Sequence, residues 1–281
     1  MDNYLSLLYD TFFGRMLLRI LVCPSVSKLC GAFLDSFLSK PLIRPFVTAN
    51  SIDMSEYVSG NFKCFNDCFA RRIKPGMRPV DPDPSSFVSP CDSRLSVYEI
   101  EEGTVIPVKQ SRYSIARLLH SRKLAARYEG GYCLVFRLCV DDYHRYIYID
   151  NAVKGVNHFI KGRLHTVQPI ALEKVPVFTE NCREFTVMNT ENFGKVTQME
   201  VGAMLVGKIH NHHARHVAKR GEEKGCFFYG GSTVILLVEK DRVVIDDAIL
   251  KASAKGEEVR VRQGEIVGRQ APTVVIQLSE P

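Results

Sequence analysis

The sequence predicts an α+β protein in which amphipathic helices near the N-terminus precede a mostly antiparallel β core. Three observations support this fold class. Apolar residues recur at three- and four-residue spacing over residues 4–38, as on one face of a helix. From residue 130 onward, short aromatic and β-branched runs alternate with glycines and charged residues, as in strands. Internal repeats and βαβ alternation are both absent from the sequence, which argues against a parallel sheet.

The N-terminal pattern predicts two helices, because Pro24 interrupts the apolar stripe. Large apolar side chains with flanking cations suit a helix that lies in a membrane interface. The same pattern also suits helices that pack on the protein's own core, so both interpretations stay open at this point. The stripe comprises Leu5, Leu8, Phe12, Met16 and Ile20 in the first helix, and Val26, Leu29, Phe33 and Phe37 in the second.

The middle of the chain is less regular. Residues 40–60 read as a connector with two prolines, and residues 61–73 read as a helix. Prolines make residues 74–84 stiff and irregular. A short helix is predicted over residues 114–127, with Ser114 as its N-cap.

The remaining segments predict an antiparallel, barrel-like or sandwich core, because turn residues separate short strand-like runs. No uncharged apolar run approaches the roughly 18 residues of a membrane-spanning helix, so none is expected. No secretory signal is recognised at the start of the sequence. The predicted strands lie around residues 132–140, 145–149, 184–189, 195–209, 226–238, 242–246, 257–262 and 272–278.

Composition narrows the functional classes only slightly. The 281 residues suffice for one large core or two smaller ones, and a hydrophobic fraction of 46% argues against wholesale disorder. The net charge of +6 fits an anionic membrane surface or nucleic acid and selects neither. Nine cysteines without a CxxC pair favour free thiols in a reducing compartment.

The segment Gly230-Gly231-Ser232-Thr233 lies within a strand-like apolar run. Adjacent glycines weaken a strand, so another requirement must explain them. One such requirement is a tight turn that brings the backbone close to another group. Gly231 has no Cβ to obstruct the Ser232 hydroxyl as it approaches the preceding carbonyl. The alternative is a plain β-turn or bulge.

Candidate acid–base residues occur elsewhere. His144 lies among aromatic residues next to two carboxylates and is a candidate general base. Asp92 is a candidate partner, because a carboxylate can fix the tautomer of an imidazole. His165 is a further candidate acid or base. A hydrogen-bonded structural histidine and a turn aspartate are the ordinary alternatives for His144 and Asp92.

A dense histidine cluster lies between residues 210 and 216. His212 and His216 have the i, i+4 spacing of metal ligands on a helix. The flanking Arg215 and Lys219 instead favour a basic, exposed loop that faces a membrane or phosphate. The sequence therefore predicts no metal site.

Five segments, in this order, resemble the phosphatidylserine decarboxylase family, and the similarity covers nearly the whole chain. Each segment is short, and their order together with the strand-embedded Gly-Ser makes the resemblance specific. The segments are residues 65–79 (F-x-x-F-F-x-R-x-L-K-P-G-x-R-P in the family), 88–92 (V-S-P-x-D), 142–145 (D-Y-H-R), 164–169 (L-x-x-V-N-P) and 231–233 (G-S-T).

The resemblance implies that the chain cleaves itself between Gly231 and Ser232. Ser232 would attack the Gly231 carbonyl and end as a pyruvoyl group, the covalent cofactor, at the start of a small chain, 232–281. The large chain would be residues 1–231. Family members use an Asp and a His for this activation, and Asp92 and His144 match them.

The resemblance further implies decarboxylation of phosphatidylserine to phosphatidylethanolamine. The pyruvoyl group would form a Schiff base with the serine head group and accept electrons as CO2 leaves. Residues 1–60 would dock on the cytoplasmic side of the cell membrane as a peripheral region, and residues 61–281 would form the catalytic domain. The family also implies a lipoyl-like barrel-sandwich core and a homodimer, with no nucleic-acid partner.

Two departures from the family pattern bear on the mechanism. Many members carry a second histidine three residues after the first, to which the processing base has been assigned, and this chain has Ile147 there. His144 is then left to serve both steps, with His165 in reserve. Ser93 stands where glycine is frequent. The alternatives are a pyruvoyl-dependent decarboxylase of a soluble amino acid and an unprocessed lipid-binding module.

Overall fold

The computed structural model describes residues 7–58, 60–101, 103, 105–108, 111–203, 208–229 and 232–272. Within these residues the fold is α+β with a largely antiparallel sheet core, which confirms the predicted class. The helices are α1 (Phe12–Leu21), α2 (Pro24–Leu34), α3 (Ile43–Ala49), α4 (Phe65–Phe69), α5 (Ile115–Leu119), α6 (Arg122–Ala125), α7 (Pro169–Lys174), α8 (Val177–Glu180) and α9 (Asp247–Ala254). Short 3-10 helices cover Phe37–Leu42, Met54–Glu56 and Ala126–Tyr128.

The strands follow from residue 86 onward. They are β1 (Ser86–Val88), β2 (Ser93–Glu99), β3 (Val105–Val108), β4 (Ser111–Ser114), β5 (Tyr132–Leu138), β6 (Arg145–Ile147), β7 (Ala152–Lys154), β8 (His158–Ile160), β9 (Arg183–Thr190), β10 (Lys195–Val201), β11 (Ile209–Asn211), β12 (His216–Ala218), β13 (Glu223–Phe227), β14 (Ser232–Val238), β15 (Val243–Ile245), β16 (Val259–Val261) and β17 (Ile266–Gln270).

A nine-stranded central sheet organises the molecule, with the order β12-β7-β9-β10-β14-β5-β2-β16 and with β8 paired to β9. Its strand pairs are antiparallel, and within the described residues the sheet does not close into a barrel. A helix-side core, which includes Tyr9 and Leu18, covers one face. A sheet-side core, which includes Tyr146 and Phe227, covers the other face and joins it to the small sheet β11-β13-β6.

The two N-terminal helices form as predicted. Pro24 occupies the first position of α2, where its missing N–H costs no hydrogen bond. Leu8 packs partly against the helix-side core, but most of the apolar stripe lies off the protein's own core. Leu18 is buried instead, whereas the stripe residues Phe12 and Leu29 are 66% and 75% exposed. A wide apolar surface is thus left uncovered in the chain.

No single described helix is both long and apolar enough to cross a membrane. The consecutive helices Phe12–Leu21 and Ser25–Leu34, bent by 65°, meet the requirement only as a pair, by length and composition.

Three helix predictions need correction. The connector predicted over residues 40–60 contains helix α3. Pro45 does not prevent this helix, because it stands in the first turn, where backbone N–H groups have no partner within the helix. The helix predicted over 61–73 is only α4, since the chain then turns so that Arg71 points inward. The helix over 114–127 begins at the predicted cap Ser114 but breaks at His120, which has a left-handed backbone.

Several strand boundaries also differ from expectation. The run 195–209 becomes β10 and β11, and the run 226–238 becomes β13 and β14. The sequence pattern did not predict strand β2, which lies between β5 and β16 in the central sheet, because it follows the irregular proline-rich stretch. Most of the predicted strand 272–278 lies outside the described residues.

Candidate active site

Ser232 is the first residue of β14, in the middle of the central sheet. It pairs with Leu138 of β5, and the next residue, Thr233, pairs with both β5 and β10. The side chain is buried, and Oγ has no hydrogen-bond partner among the described residues. Gly231, the predicted partner in cleavage, lies outside the described residues together with Gly230. A buried hydroxyl without a partner is uncommon and calls for a functional explanation.

Strand geometry fixes the direction of the Ser232 side chain. Alternate residues of a strand share a face, so Ser232 points the same way as Val234 and Leu236. Both of these belong to the sheet-side core, which also contains Tyr146 of β6 and Phe227 of β13. Ser232 therefore faces the small sheet rather than the N-terminal helices.

His144 immediately precedes β6 on that same side. Its ring is fully buried, and Nδ1 lies 2.9 Å from the carbonyl oxygen of Asp142. A carbonyl only accepts, so this contact assigns the proton to Nδ1 and leaves the lone pair on Nε2. Nε2 has no partner among the described residues. Burial, and then the charge of Arg71, lower the pKa of His144 to about 3, so the ring is neutral near pH 7.

Backbone and ring contacts join His144 to the segment that leads to Ser232. The amide of Phe227 donates to the His144 carbonyl at 2.9 Å. The Phe69 ring lies 4.1 Å from the His144 ring and 5.2 Å from the ring of Tyr229, three residues before Ser232. The amide of Tyr229 also donates to Asn66 Oδ1 at 3.1 Å. Helix α4 thus holds both the imidazole and the segment before residues 230–231.

Arg71 bonds to the same backbone carbonyl as the His144 imidazole, a role that the sequence pattern did not predict. Its Nη2 donates to the carbonyl of Asp141 at 2.9 Å and to that of Asp142 at 3.2 Å. The Asp142 carbonyl therefore contacts both Arg71 and His144 Nδ1. A signal was present in the sequence, because Arg71 occupies an arginine position of the family motif at residues 65–79.

Asp92 is held by groups other than His144. Arg78 donates to its carboxylate from Nε and Nη2, with a shortest distance of 2.6 Å. The amide of Gln263 donates to Oδ1 at 2.8 Å, and its side chain donates to the carbonyl of Arg145 at 2.8 Å. The two predicted partners thus lie in adjacent segments, but the described hydrogen bonds do not join the Asp92 carboxylate to the imidazole.

His165 lies toward the other face of the sheet. Its Nδ1 is 3.3 Å from the hydroxyl of Tyr9, a member of the helix-side core. Its Nε2 is 3.5 Å from Glu180 without a hydrogen bond. Its backbone is linked to the end of β10, because Asn181 Nδ2 donates both to the His165 carbonyl and to the Gly202 carbonyl. The end of β10 pairs with the start of β14. The structure therefore brings Ser232 and His144, but not the His165 ring, to one face.

Ile147 and the histidine cluster are the remaining positions that the sequence singled out. Ile147 is buried in β6, and its amide donates to the Pro90 carbonyl at 3.0 Å, so this position has an apolar, structural role. His212 and His216 do not form one helical turn, because His216 begins strand β12. The i, i+4 argument for metal therefore does not apply to this pair.

A cavity of about 500 Å³ lies between α2 and the sheet, with a mostly apolar lining. Lys28 and Lys208 stand among its lining residues. Lys208 also contacts the segment before Ser232, since its carbonyl accepts from the amide of Phe228 at 3.2 Å. Asp35 and Glu184 line it as well, and Asp35 Oδ2 lies 4.0 Å from Lys208 Nζ, so the space suits an amphipathic ligand with a charged head group.

Comparison with known proteins shows the family of the chain. The sequence profile described as phosphatidylserine decarboxylase matches residues 65–269. The chain is 44% identical over 268 residues to phosphatidylserine decarboxylase proenzyme 2 of Clostridium acetobutylicum, covering 95% of this chain and 92% of that protein. It is 39% identical over 274 residues to the phosphatidylserine decarboxylase proenzyme of Clostridium kluyveri, covering 95% of this chain and 92% of that protein. Because the profile covers more than half of the chain and the relatives cover nearly all of it, the chain belongs to the phosphatidylserine decarboxylase family.

Proposed function

We propose that the protein is a proenzyme that cuts itself between Gly231 and Ser232 and then decarboxylates phosphatidylserine to phosphatidylethanolamine. One observation carries the proposal: among the described residues, the buried Ser232 hydroxyl and the buried Nε2 of neutral His144 both lack a hydrogen-bond partner. The names of the relatives as phosphatidylserine decarboxylase proenzymes support both the reaction and its activation by cleavage.

The first step is an exchange of an amide for an ester. Ser232 Oγ bonds to the carbonyl carbon of Gly231 as its proton passes to His144 Nε2. The C–N bond between the two residues then breaks, and its nitrogen takes a proton to become the free amine of Ser232. His144 can accept the proton because its ring is neutral. Its Nδ1–H donates to the Asp142 carbonyl, which leaves the lone pair on Nε2 to take the proton.

The second step completes the cut. Removal of the Cα proton of Ser232 expels the Gly231 carboxylate, which leaves a dehydroalanine at position 232. Its enamine tautomerises to an imine, and water replaces the nitrogen as ammonia, which yields a pyruvoyl group. The site fits this group because residue 232 is buried and the departure of Oγ breaks no hydrogen bond among the described residues. Once formed, the pyruvoyl carbonyl supplies an electron sink for decarboxylation of an amine substrate.

Residues of the chain also serve the decarboxylation. We assign to His144 the delivery of a proton to the substrate carbon after CO2 leaves, since its Nε2 is the acid–base group on this face. Arg71 is a positioning residue, because it holds the Asp142 carbonyl that orients the ring. Asp92 acts through its neighbours, with Arg78 and Gln263 holding it against the backbone next to His144.

The two products, 1–231 and 232–281, would stay interleaved after the cut. Strand β14 of the small chain lies between β10 and β5 of the large chain. Strand β16 pairs with β2, and β17 pairs with β1. Separation would break hydrogen bonds in two sheets and expose the buried face of β14, so the cut chain is expected to hold together.

The uncovered N-terminal helices support docking on a membrane surface. Residues 1–60 would form the docking region and residues 61–281 the catalytic domain. Exposed Phe13 and Leu29 would enter the apolar boundary of the bilayer. The cavity under α2 would take the lipid, with Lys28 and Lys208 facing its phosphate.

A peripheral location on the cytoplasmic side of the cell membrane, a homodimer and a lipoyl-like barrel-sandwich plan are further parts of the proposal. They rest on the family resemblance. The packing of the small sheets against one face of the central sheet is compatible with the barrel-sandwich plan.

Intact-mass measurement of the purified protein tests the proposal. Two chains are expected, the smaller one beginning at residue 232 and carrying a pyruvoyl terminus in place of serine. The Ser232→Ala variant should stay as one chain, while Ser93→Ala, which alters another buried serine without a partner, should cut normally. An uncut parent chain would favour the unprocessed lipid-binding module.

Substrate assays separate the two decarboxylase hypotheses. Phosphatidylserine in detergent micelles and free amino acids are compared for CO2 release by the cut protein. Release from phosphatidylserine and not from free serine is expected. Release from free amino acids alone would refute the lipid substrate while leaving the processing chemistry intact.

A further inference from the structure

The segment from His213 to Glu222, which contains β12, brings three potential metal ligands together on the surface. The ligand atoms of His213, His216 and Glu222 all lie within 4.8 Å of one another. It is the one such group of three histidine, cysteine or carboxylate side chains found in the described part of the chain. Their side chains are about 30% exposed, so an ion from solvent can reach them.

Both histidine nitrogens lie near one oxygen of the Glu222 carboxylate. His216 Nε2 is 2.7 Å from Glu222 Oε1, and His213 Nε2 is 3.9 Å from the same oxygen. The two rings stack in parallel with centroids 3.8 Å apart. Tetrahedral zinc holds its nitrogens about 2.0–2.1 Å away, which sets them about 3.3 Å from each other. Because stacked parallel rings do not direct their lone pairs at one point, at least one imidazole has to rotate out of the stack before both can bind one ion with Glu222, which leaves a fourth position for water.

The surrounding structure orients two of the three ligands, Glu222 and His213. Glu222 Oε2 accepts from the Lys219 amide at 3.0 Å, which leaves Oε1 directed at the histidines. The hydroxyl of Tyr148 is 3.3 Å from His213 Nδ1, which leaves Nε2 free for an ion. Metal-bound histidines characteristically make such a contact through the other ring nitrogen.

The backbone of the site is anchored as well. Lys154 Nζ donates to the Ala214 carbonyl at 2.7 Å, and Asn157 donates to the His213 carbonyl at 3.2 Å. The Arg220 guanidinium donates to three backbone carbonyls outside the turn. Both cations are thus engaged with backbone oxygens around the site. The backbone that carries the ligands is therefore already ordered before an ion binds, and only the side chains have to reorient.

We propose that His213, His216 and Glu222 form a binding site for one Zn²⁺ ion. Two imidazoles and one carboxylate are borderline donors that suit Zn²⁺ and disfavour Mg²⁺ and Ca²⁺, which take oxygen ligands. The ion would bridge β12 to β13, whose last residue, Phe227, donates its amide to the His144 carbonyl. The site is therefore structural and steadies the strand next to the active-site imidazole, and it does not depend on the proposed decarboxylation.

Zinc titration of the full-length protein, without a polyhistidine tag and against a coloured chelator, tests the proposal. One ion per chain is expected. His216→Ala should weaken binding by at least about 100-fold, because it removes a ligand, and Tyr148→Phe by about tenfold, because it removes only an orienting contact. The matched control is His212→Ala: His212 belongs to the same segment but bonds Glu223 at 2.6 Å instead. Its affinity should stay within about threefold of the parent.

Two further measurements distinguish this site from cysteine ligation and from scattered surface binding. Zinc should raise the melting temperature of the parent and not that of His213→Ala/His216→Ala, whose fold is checked by circular dichroism. Co²⁺ in the site should give a tetrahedral spectrum without the thiolate charge-transfer band that cysteine ligation produces, which matters because all nine cysteines are free. The proposal is overturned by unchanged binding in the double variant, by an equal loss in His212→Ala, or by the absence of stoichiometric binding in the parent.

Discussion

The buried, neutral state of His144 has a measurable effect on stability. Burial and the charge of Arg71 lower its pKa to about 3, against an ordinary value of about 6.5 in the unfolded chain. The unfolded chain therefore binds the extra proton first as the pH falls. The stability that this histidine contributes is complete above pH 6.5 and is lost progressively toward pH 3.

The size of the effect follows from the difference between the two pKa values. At pH 5 the imidazole is almost fully protonated in the unfolded chain and almost fully neutral in the folded one. Relative to pH 8, this destabilises the fold by about 2 kcal/mol at pH 5. Burial raises the pKa of Asp142 to about 6, which acts in the opposite direction, so the effect has to be isolated by comparing two variants.

The test uses urea denaturation followed by circular dichroism, at pH 8 and pH 5, in chains that cannot cut themselves. Ser232→Ala is compared with Ser232→Ala/His144→Asn, in which the amide nitrogen replaces Nδ1 as donor and does not titrate. The histidine chain should lose about 2 kcal/mol more between pH 8 and pH 5 than the asparagine chain. An identical loss in both chains would refute the claim that the ring is held neutral by its burial.

Three other predictions follow from the packing. Lys224→Met should lower the unfolding free energy in urea by about 3–5 kcal/mol, because Glu200, 2.8 Å away and fully buried, loses its partner. Adding Glu200→Leu should recover most of that loss, and a single variant as stable as the parent would contradict this. Phe13→Glu should weaken sedimentation with phosphatidylserine vesicles about tenfold, whereas Val217→Glu, 74% exposed but outside the helices, should not; equal losses would argue against helix docking. After cutting, the two chains should coelute in gel filtration and separate only in denaturant, and separate elution in native buffer would contradict the interleaved sheet.

The sequence predicted the candidate catalytic residues but not all of the contacts that position them. Ser232 and His144 were both predicted to be catalytic, and the structure buries both side chains. The partner of the imidazole is a different matter, because its Nδ1 contacts a backbone carbonyl, which every residue carries and no pattern of side chains reveals. The Arg71 contact with that carbonyl spans about 70 residues of sequence, beyond the reach of local periodicity.

The histidine segment at residues 210–216 shows how a wrong element type leads to a wrong set of neighbours. Helical spacing pointed to His212 with His216, but strand β12 removes that spacing. The turn before β13 instead brings Glu222 to His213 and His216. A change from helix to strand alters which side chains share a face, so ligand sets read from spacing depend on the element type.

What the sequence determined by itself was local: the α+β class, the two helices broken at Pro24, the strand-like run over residues 226–238 and the motifs of the family. Each depends on residues within a few positions of one another, which is the range over which periodicity and backbone preferences act. The tertiary structure alone decided that most of the apolar stripe of the helices stays uncovered, that Arg78 holds Asp92, and that the Ser232 hydroxyl is buried without a partner among the described residues. These features arise where distant segments meet, because burial and pairing are properties of the packed chain and not of any one stretch of it.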